Sequence, residues 1–143
     1  MLSLTCKTAI KAVIYLSSKS QDGEKANTRE ISDQINASEH TVGKILQLLA
    51  KQKIINSLKG PTGGFYLNDE QQEQAVIRVV EAIEGEGIFT ECGLGLSKCS
   101  ATHPCPIHND YKVARELMEK IFRERKIKDL CNSVTNGLAY LIG

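Results

Sequence analysis

Three cysteines and two histidines fall in one short run, "CGLGLSKCSATHPCPIH", from Cys92 to His108. The spacing is Cys92-x6-Cys99-x5-Cys105-x2-His108, with His103 two residues ahead of Cys105. Thiols and imidazoles grouped in this way are ligands for a soft or borderline metal, or a set of reactive thiols. The chain holds five cysteines, Cys6 and Cys131 being the other two. An odd count with no export signal argues against a disulfide framework and for a reducing, cytoplasmic compartment. Structural zinc sites usually carry a ligand pair about two to four residues apart. Only Cys105 with His108, or His103 with Cys105, comes that close, so zinc ranks second. A wider, thiolate-rich loop suits an iron-sulfur cluster, 2Fe-2S ahead of 4Fe-4S. Gly93 and Gly95 let the backbone wrap closely and aim N–H groups at sulfur, while Pro104 and Pro106 stiffen the chain around Cys105. Three thiolates leave one position to fill. His108 is the first candidate, His103 the second, and Cys6 from another subunit a third. Two other readings use the same atoms. One is a bare thiol sensor. The other, ranked last, is an enzyme pairing Cys105 with a histidine base, for which no substrate-pocket signature exists.

Such a loop needs a scaffold, and the rest of the chain reads as mainly helical. Ala9, Ile10, Val13, Ile14 and Leu16 recur at helical spacing. "SKSQDGEKAN" is a polar linker, and Asn27 or Thr28 caps a short helix with Ile31 and Ile35 inward. "NAS" makes a turn, Ser38 caps the next helix, and Val42, Ile45, Leu46 and Leu49 form its apolar face. Two helices across a tight turn are a helix-turn-helix pattern. The β-prone runs "IINSL" and "FYL" flank "KGPTGG", which predicts a hairpin, and a hairpin placed there is a wing. Val76, Val79, Val80 and Ile83 mark a connecting helix that stops at Gly85. A long amphipathic helix follows the cysteine loop, with Val113, Leu117 and Ile121 in line and Met118 and Phe122 widening the stripe. Glu116 with Lys120 and Glu119 with Arg123 are favourable i, i+4 pairs. The expected organisation is a winged helix over 1–67, a connecting helix over 68–90, the cysteine loop over 91–108, a long helix over 109–130 and an unassigned tail over 131–143. Cys131 reads as a small core residue.

The net charge of +1 hides an asymmetry. Residues 1–67 carry nine Lys/Arg against five Asp/Glu, whereas 68–143 carry nine against twelve. A basic first half suits a polyanionic partner such as double-stranded DNA. Ser38, Glu39, His40, Thr41 and Lys44 present short polar or cationic groups at the start of the second helix, where base edges are read. Lys59, Gly60 and Pro61 form a thin cationic wing tip suited to a minor groove or a phosphate. Arg29, Lys51 and Lys53 add candidate phosphate contacts. Gly43, inside that helix, costs roughly 1 kcal/mol against alanine. It allows close approach to DNA or to a neighbouring helix, or is merely tolerated. No apolar run approaches the roughly 20 residues of a membrane span.

The chain resembles the Rrf2 family of bacterial winged-helix regulators. The resemblance rests on "AIKAVIYLS", on "VGKILQLLAKQKIINSLKGPTGGFYL", on "VVEAIEG" and on "CGLGLSKCSATHPCPIH", and spans nearly the whole chain. It implies a cytoplasmic homodimer joined through the helix from about Asn109 to Arg125, each subunit docking a winged helix on one half of a pseudo-palindromic operator. It implies Cys92, Cys99 and Cys105 as cluster ligands. In the IscR type the fourth is a histidine soon after the third cysteine, which His108 matches. In the NsrR type it is a carboxylate early in the first helix of the other subunit, where this chain reads Cys6-Lys7-Thr8. The implied function is a DNA-binding regulator sensing cluster status, redox state or nitric oxide, or a cluster-free one answering a protein partner or thiol oxidation. This chain departs from the pattern in a longer first cysteine gap, in His40, Gly43 and Lys44 at the recognition positions, and in Lys59 where the family places arginine.

Overall fold

Helix α1, Leu4–Gln21, begins where the Ser3 side chain accepts the Cys6 N–H at 3.1 Å. It buries Cys6, Ala9, Ala12, Val13 and Leu16 completely or nearly so. Asn27 caps α2, Thr28–Ile35, by accepting the Glu30 N–H at 2.8 Å. The turn that follows runs through Asn36 at φ 54°, a left-handed position asparagine tolerates. Ser38 then caps α3, Glu39–Lys51. The computed structural model describes residues 2–142. Met1 and Gly143, the outer ends of the first and last expected segments, lie outside the described residues.

The hairpin pairs β1, Asn56–Leu58, with β2, Gly64–Tyr66, antiparallel, Ser57 opposite Phe65. It is shorter than the β-prone runs suggest, because Ile54 and Ile55 leave the strand to enter the core, each 1% exposed. Phe65 also exchanges backbone hydrogen bonds of 2.8 and 3.1 Å with Ala26, which ties the wing to the linker before α2. Gly63 has no room for a β-carbon against the Leu58 carbonyl, so the turn demands glycine there.

One core joins α1, α2, α3 and the chain after the wing through Leu16, Ile31, Ile35, Leu46 and Leu49. Burying each such side chain contributes roughly 1.5–3 kcal/mol. A second cluster gathers Cys6, Ile77, Val80 and Phe89, with Met118 and Phe122 packed against it. The connecting segment forms α4, Asp69–Gln72, then α5, Ile77–Glu84, then a 3-10 turn over Glu86–Phe89. Helix α5 and its N-cap serve both clusters, with Val76 and Val79 in the first and Ile77 and Val80 in the second.

The long helix expected over 109–130 is two helices: α6, His108–Glu124, and α7, Ile127–Thr135. The break has a non-local cause. Arg125 is extended, its carbonyl accepts the Val76 N–H at 2.8 Å, and the Ile127 N–H donates to the Gln74 carbonyl at 2.9 Å. The unassigned tail therefore continues as α7, which returns to α1 with Ile127 and Cys131 buried. Glu119 pairs with Arg123 at 2.7 Å, as the spacing suggests. Glu116 does not pair with Lys120; its partner is Lys112, at 3.8 Å. Among the described residues, no helix is long and apolar enough to cross a membrane.

Candidate metal centre and nucleic-acid interface

The loop between the 3-10 turn and α6 has no regular structure, yet it brings its thiols together. The Sγ atoms of Cys92, Cys99 and Cys105 all lie within 4.8 Å of one another. The Cys92 thiol sits 3.5 Å from the Cys105 sulfur. His108, the first residue of α6, approaches one of the three: its Nδ1 stands 3.2 Å from the Cys99 sulfur. Tight local turns achieve this. The Gly95 N–H donates to the Cys92 carbonyl at 2.9 Å, Ser100 and His103 exchange backbone hydrogen bonds of 3.1 and 3.2 Å, and the His108 N–H donates to the Cys105 carbonyl at 3.0 Å. Gly95 takes φ 72°, which the turn around Cys92 requires.

Backbone amides aim at the sulfurs. The Leu94 N–H points at Cys92 and the Cys105 N–H at Cys99, both at 3.4 Å. The amides of Leu96 and Leu94, with the neighbouring thiols, pull the Cys92 pKa down to about 7, although burial pushes it up. Cys99 moves upward: the Cys105 amide lowers it, but burial and the thiols of Cys105 and Cys92 outweigh that. Cys92 is thus ready to ionise while Cys99 resists sharing the charge. The donor set fits a thiophilic metal group. Two ligands at about 2.3 Å from one tetrahedral centre stand roughly 3.8 Å apart, and the sulfurs already lie near that spacing. N–H groups directed at sulfur are the contacts that tune iron-sulfur centres.

The other candidates fall elsewhere. Cys6 is 0% exposed inside the second cluster, where burial and then Glu84 push its pKa up to about 11. Within its own subunit Cys6 packs in the core and does not join the converging thiols. His103 is exposed and holds its turn through backbone bonds to Ser100. Cys131 is 0% exposed, as expected of a small core residue.

The residues expected to contact DNA are mostly at the surface. Ser38, Glu39, His40 and Lys44 are exposed and Thr41 is half-buried, opposite the buried Val42, Ile45 and Leu49. Lys59, Gly60 and Pro61 form the exposed wing tip, and Arg29 is exposed on α2. A shallow groove runs along Thr28, Glu39, His40, Gly43, Lys44 and Gln47. A β-carbon on Gly43 would meet only the Thr28 methyl at an ordinary 3.5 Å, so helix packing does not demand glycine there. Sequence reasoning passed over Gln47 and Thr28 as groove residues. Gln47 stands four residues after Gly43 and seven after His40, a spacing that places it on the same face.

Known proteins resemble this chain in sequence and in fold. The family model described as "Iron-dependent Transcriptional regulator", Rrf2, matches residues 2–133. The HTH-type transcriptional regulator NsrR of Oceanobacillus iheyensis is 24% identical over 134 residues, 93% of this chain and 90% of that protein. The HTH-type transcriptional regulator IscR of Yersinia pseudotuberculosis is 24% identical over 125 residues, 87% of this chain and 75% of that protein. A 93-residue match at 30% identity to a protein of Aquifex aeolicus takes in 65% of that protein. The fold matches that of CymR, the global cysteine regulator of B. subtilis, with TM-score 0.74 and 17% identity over 92% of this chain and 96% of that one. The named relatives are regulators rather than enzymes. With a winged helix ahead of a converging cysteine loop, and a family match from residue 2 to residue 133, the chain belongs to the Rrf2 family of transcriptional regulators.

Proposed function

We propose that this regulator is a cytoplasmic homodimer whose binding to a pseudo-palindromic DNA operator depends on an iron-sulfur cluster held by Cys92, Cys99, Cys105 and His108. The observation that carries the reading is the convergence of the three thiols, with His108 Nδ1 3.2 Å from Cys99. When bound, such a cluster supplies one-electron redox chemistry and a bond network that oxidants or nitric oxide disrupt. The nuclearity we favour is 2Fe-2S, since a histidine in a three-thiolate set is a mixed-ligand arrangement known for that type.

The chain's own part is mechanical. Cys92, Cys99 and Cys105 lie on an irregular loop, whereas His108 opens α6. Holding all four donors together fixes the loop against that helix. On α6, Val113, Leu117 and Ile121 are 65%, 59% and 51% exposed, an apolar stripe that suits a second copy across a two-fold axis. The order of the loop thus bears on how two winged helices are spaced. A two-fold dimer must match half-sites about 34 Å, or a multiple, apart. His40, Lys44 and Gln47 supply base contacts, and Lys59 and Arg29 supply phosphate or minor-groove contacts. The test compares DNA affinity by fluorescence anisotropy before and after iron chelation. A change in affinity that iron and sulfide reconstitution reverses supports the reading; indifference to chelation overturns it.

A second reading uses the same loop without metal. The Cys92 and Cys105 sulfurs are 3.5 Å apart, and Cys92 ionises near neutrality. Two such thiols and one peroxide give a disulfide and two waters, a thiol switch. It predicts DNA binding that ignores chelators and changes when mass spectrometry finds a Cys92–Cys105 disulfide.

A further inference from the structure

Helix α6 has two working faces. Tyr111, Arg115, Met118 and Phe122 recur at i, i+4, i+7 and i+11, and all four are half-buried. Val113, Leu117 and Ile121 lie on the opposite side and are exposed. On the inward face, Met118 and Phe122 pack on the second cluster, where the Phe122 and Phe89 rings stand 6.5 Å apart. Tyr111 and Arg115 have a different neighbour, the chain that carries Cys92. The Arg115 Nη1 donates to the Glu91 carbonyl. Its guanidinium lies 5.5 Å from the centre of the Tyr111 ring, and its Nε is closed off from solvent. The Tyr111 ring presses on Gly93 so closely that a β-carbon there would stand 2.7–2.9 Å from ring atoms. Gly93 has no positive φ, so close approach alone demands glycine. The two contacts flank Cys92 on its N- and C-terminal sides.

We propose that Tyr111 and Arg115 form a clamp, gripping Glu91 and Gly93 so that Cys92 is positioned for its metal group and tied to the helix whose far face carries the exposed stripe. They are positioning residues and touch no ligand atom. The proposal rests on the cluster reading for what Cys92 holds, but the clamp itself belongs to the chain and is measurable without metal. It also gives the loop a second attachment to α6, one to two turns beyond His108.

Two measurements test it on the full-length protein. The first is the rate at which the chelator bathophenanthroline removes iron from the reconstituted protein. The second is hydrogen–deuterium exchange of the amides of 91–95 in chelator-treated protein. Arg115→Ala and Tyr111→Ala are expected to speed both by roughly fivefold or more, the scale of removing one hydrogen bond or one ring packing interaction. Tyr111→Phe keeps the ring against Gly93 and should behave as wild type, as should Lys112→Ala on the exposed side of α6. Gly93→Ala should mimic Tyr111→Ala, and combining the two should be no worse than either, because both act on one contact. Circular dichroism identifies any variant that fails to fold. Wild-type exchange rates in both Arg115→Ala and Tyr111→Ala overturn the clamp, and so does a Tyr111→Phe variant as impaired as Tyr111→Ala. If wild type takes up no iron and sulfide, the cluster reading falls, and the exchange measurement still decides the clamp.

Discussion

Nδ1 of His108 lies 3.2 Å from the sulfur of Cys99, although eight residues separate them in the chain. The contact joins the loop to the first residue of α6. Imidazole is a neutral ligand, and replacing it by thiolate adds negative charge, which favours the oxidised centre. His108→Cys should therefore move the reduction potential to more negative values in a spectroelectrochemical titration. An unchanged potential takes His108 out of the ligand set.

Lys59 at the wing tip carries an exposed cation on a glycine-bearing turn. Removing one cation from a phosphate lowers the salt dependence of binding by about 0.9 in log–log slope. Lys59→Ala should weaken binding to all duplexes alike and flatten the salt slope by about that amount, read from anisotropy titrations over a range of salt. His40→Ala and Lys44→Ala should instead alter the sequences recovered from a random duplex pool. A Lys59→Ala variant with an unchanged slope removes the wing from the interface.

Leu117 is 59% exposed in the middle of the α6 stripe, whereas Leu46 is 0% exposed in the first core. Leu46→Ala should cost about 2–5 kcal/mol of stability in urea unfolding. Leu117→Glu should leave the subunit's own fold intact and reduce the sedimentation coefficient to that of a monomer. A dimer that survives Leu117→Glu places the interface elsewhere.

Burial, and then the Glu84 carboxylate, raise the Cys6 pKa to about 11 from an ordinary 9.0. The folded state therefore prefers the neutral thiol more strongly than the unfolded chain does. That preference is fully present below pH 9 and is lost as pH rises toward about 11. Cys6→Ala removes the group, so its Tm should fall less than that of wild type between pH 9 and 11. Parallel Tm curves for the two proteins would contradict the assignment of Cys6 as a buried, protonated core thiol.

Much of this architecture is legible in the sequence because it is local. The i, i+3, i+4 pattern of Val42, Ile45 and Leu46 and the cap at Ser38 fix α3, and the glycines of "KGPTGG" fix the wing. The thiol loop is legible from residue type and spacing alone. What escaped depends on distant partners. Nothing in the periodicity of 109–130 marks Arg125 as a break, because the break is made by Gln74 and Val76 of another segment. Met118 and Phe122 read as one stripe with Leu117, yet the second cluster draws them to a different face. Glu116 turns to Lys112 rather than Lys120, a choice between two exposed partners worth only a few tenths of a kcal/mol. Gly93 reads as a place where the backbone wraps closely around sulfur, but its close neighbour is the Tyr111 ring eighteen residues away.

The proposed function turns on what the thiols of Cys92, Cys99 and Cys105 hold. The most direct measurement is iron and acid-labile sulfide content with Mössbauer and visible absorption spectra of protein isolated without oxygen, with Cys99→Ala beside it. A cluster-bound regulator shows iron and sulfide together and a visible chromophore, with loss of both in Cys99→Ala. Protein free of iron and sulfide, or holding zinc alone, would contradict the cluster.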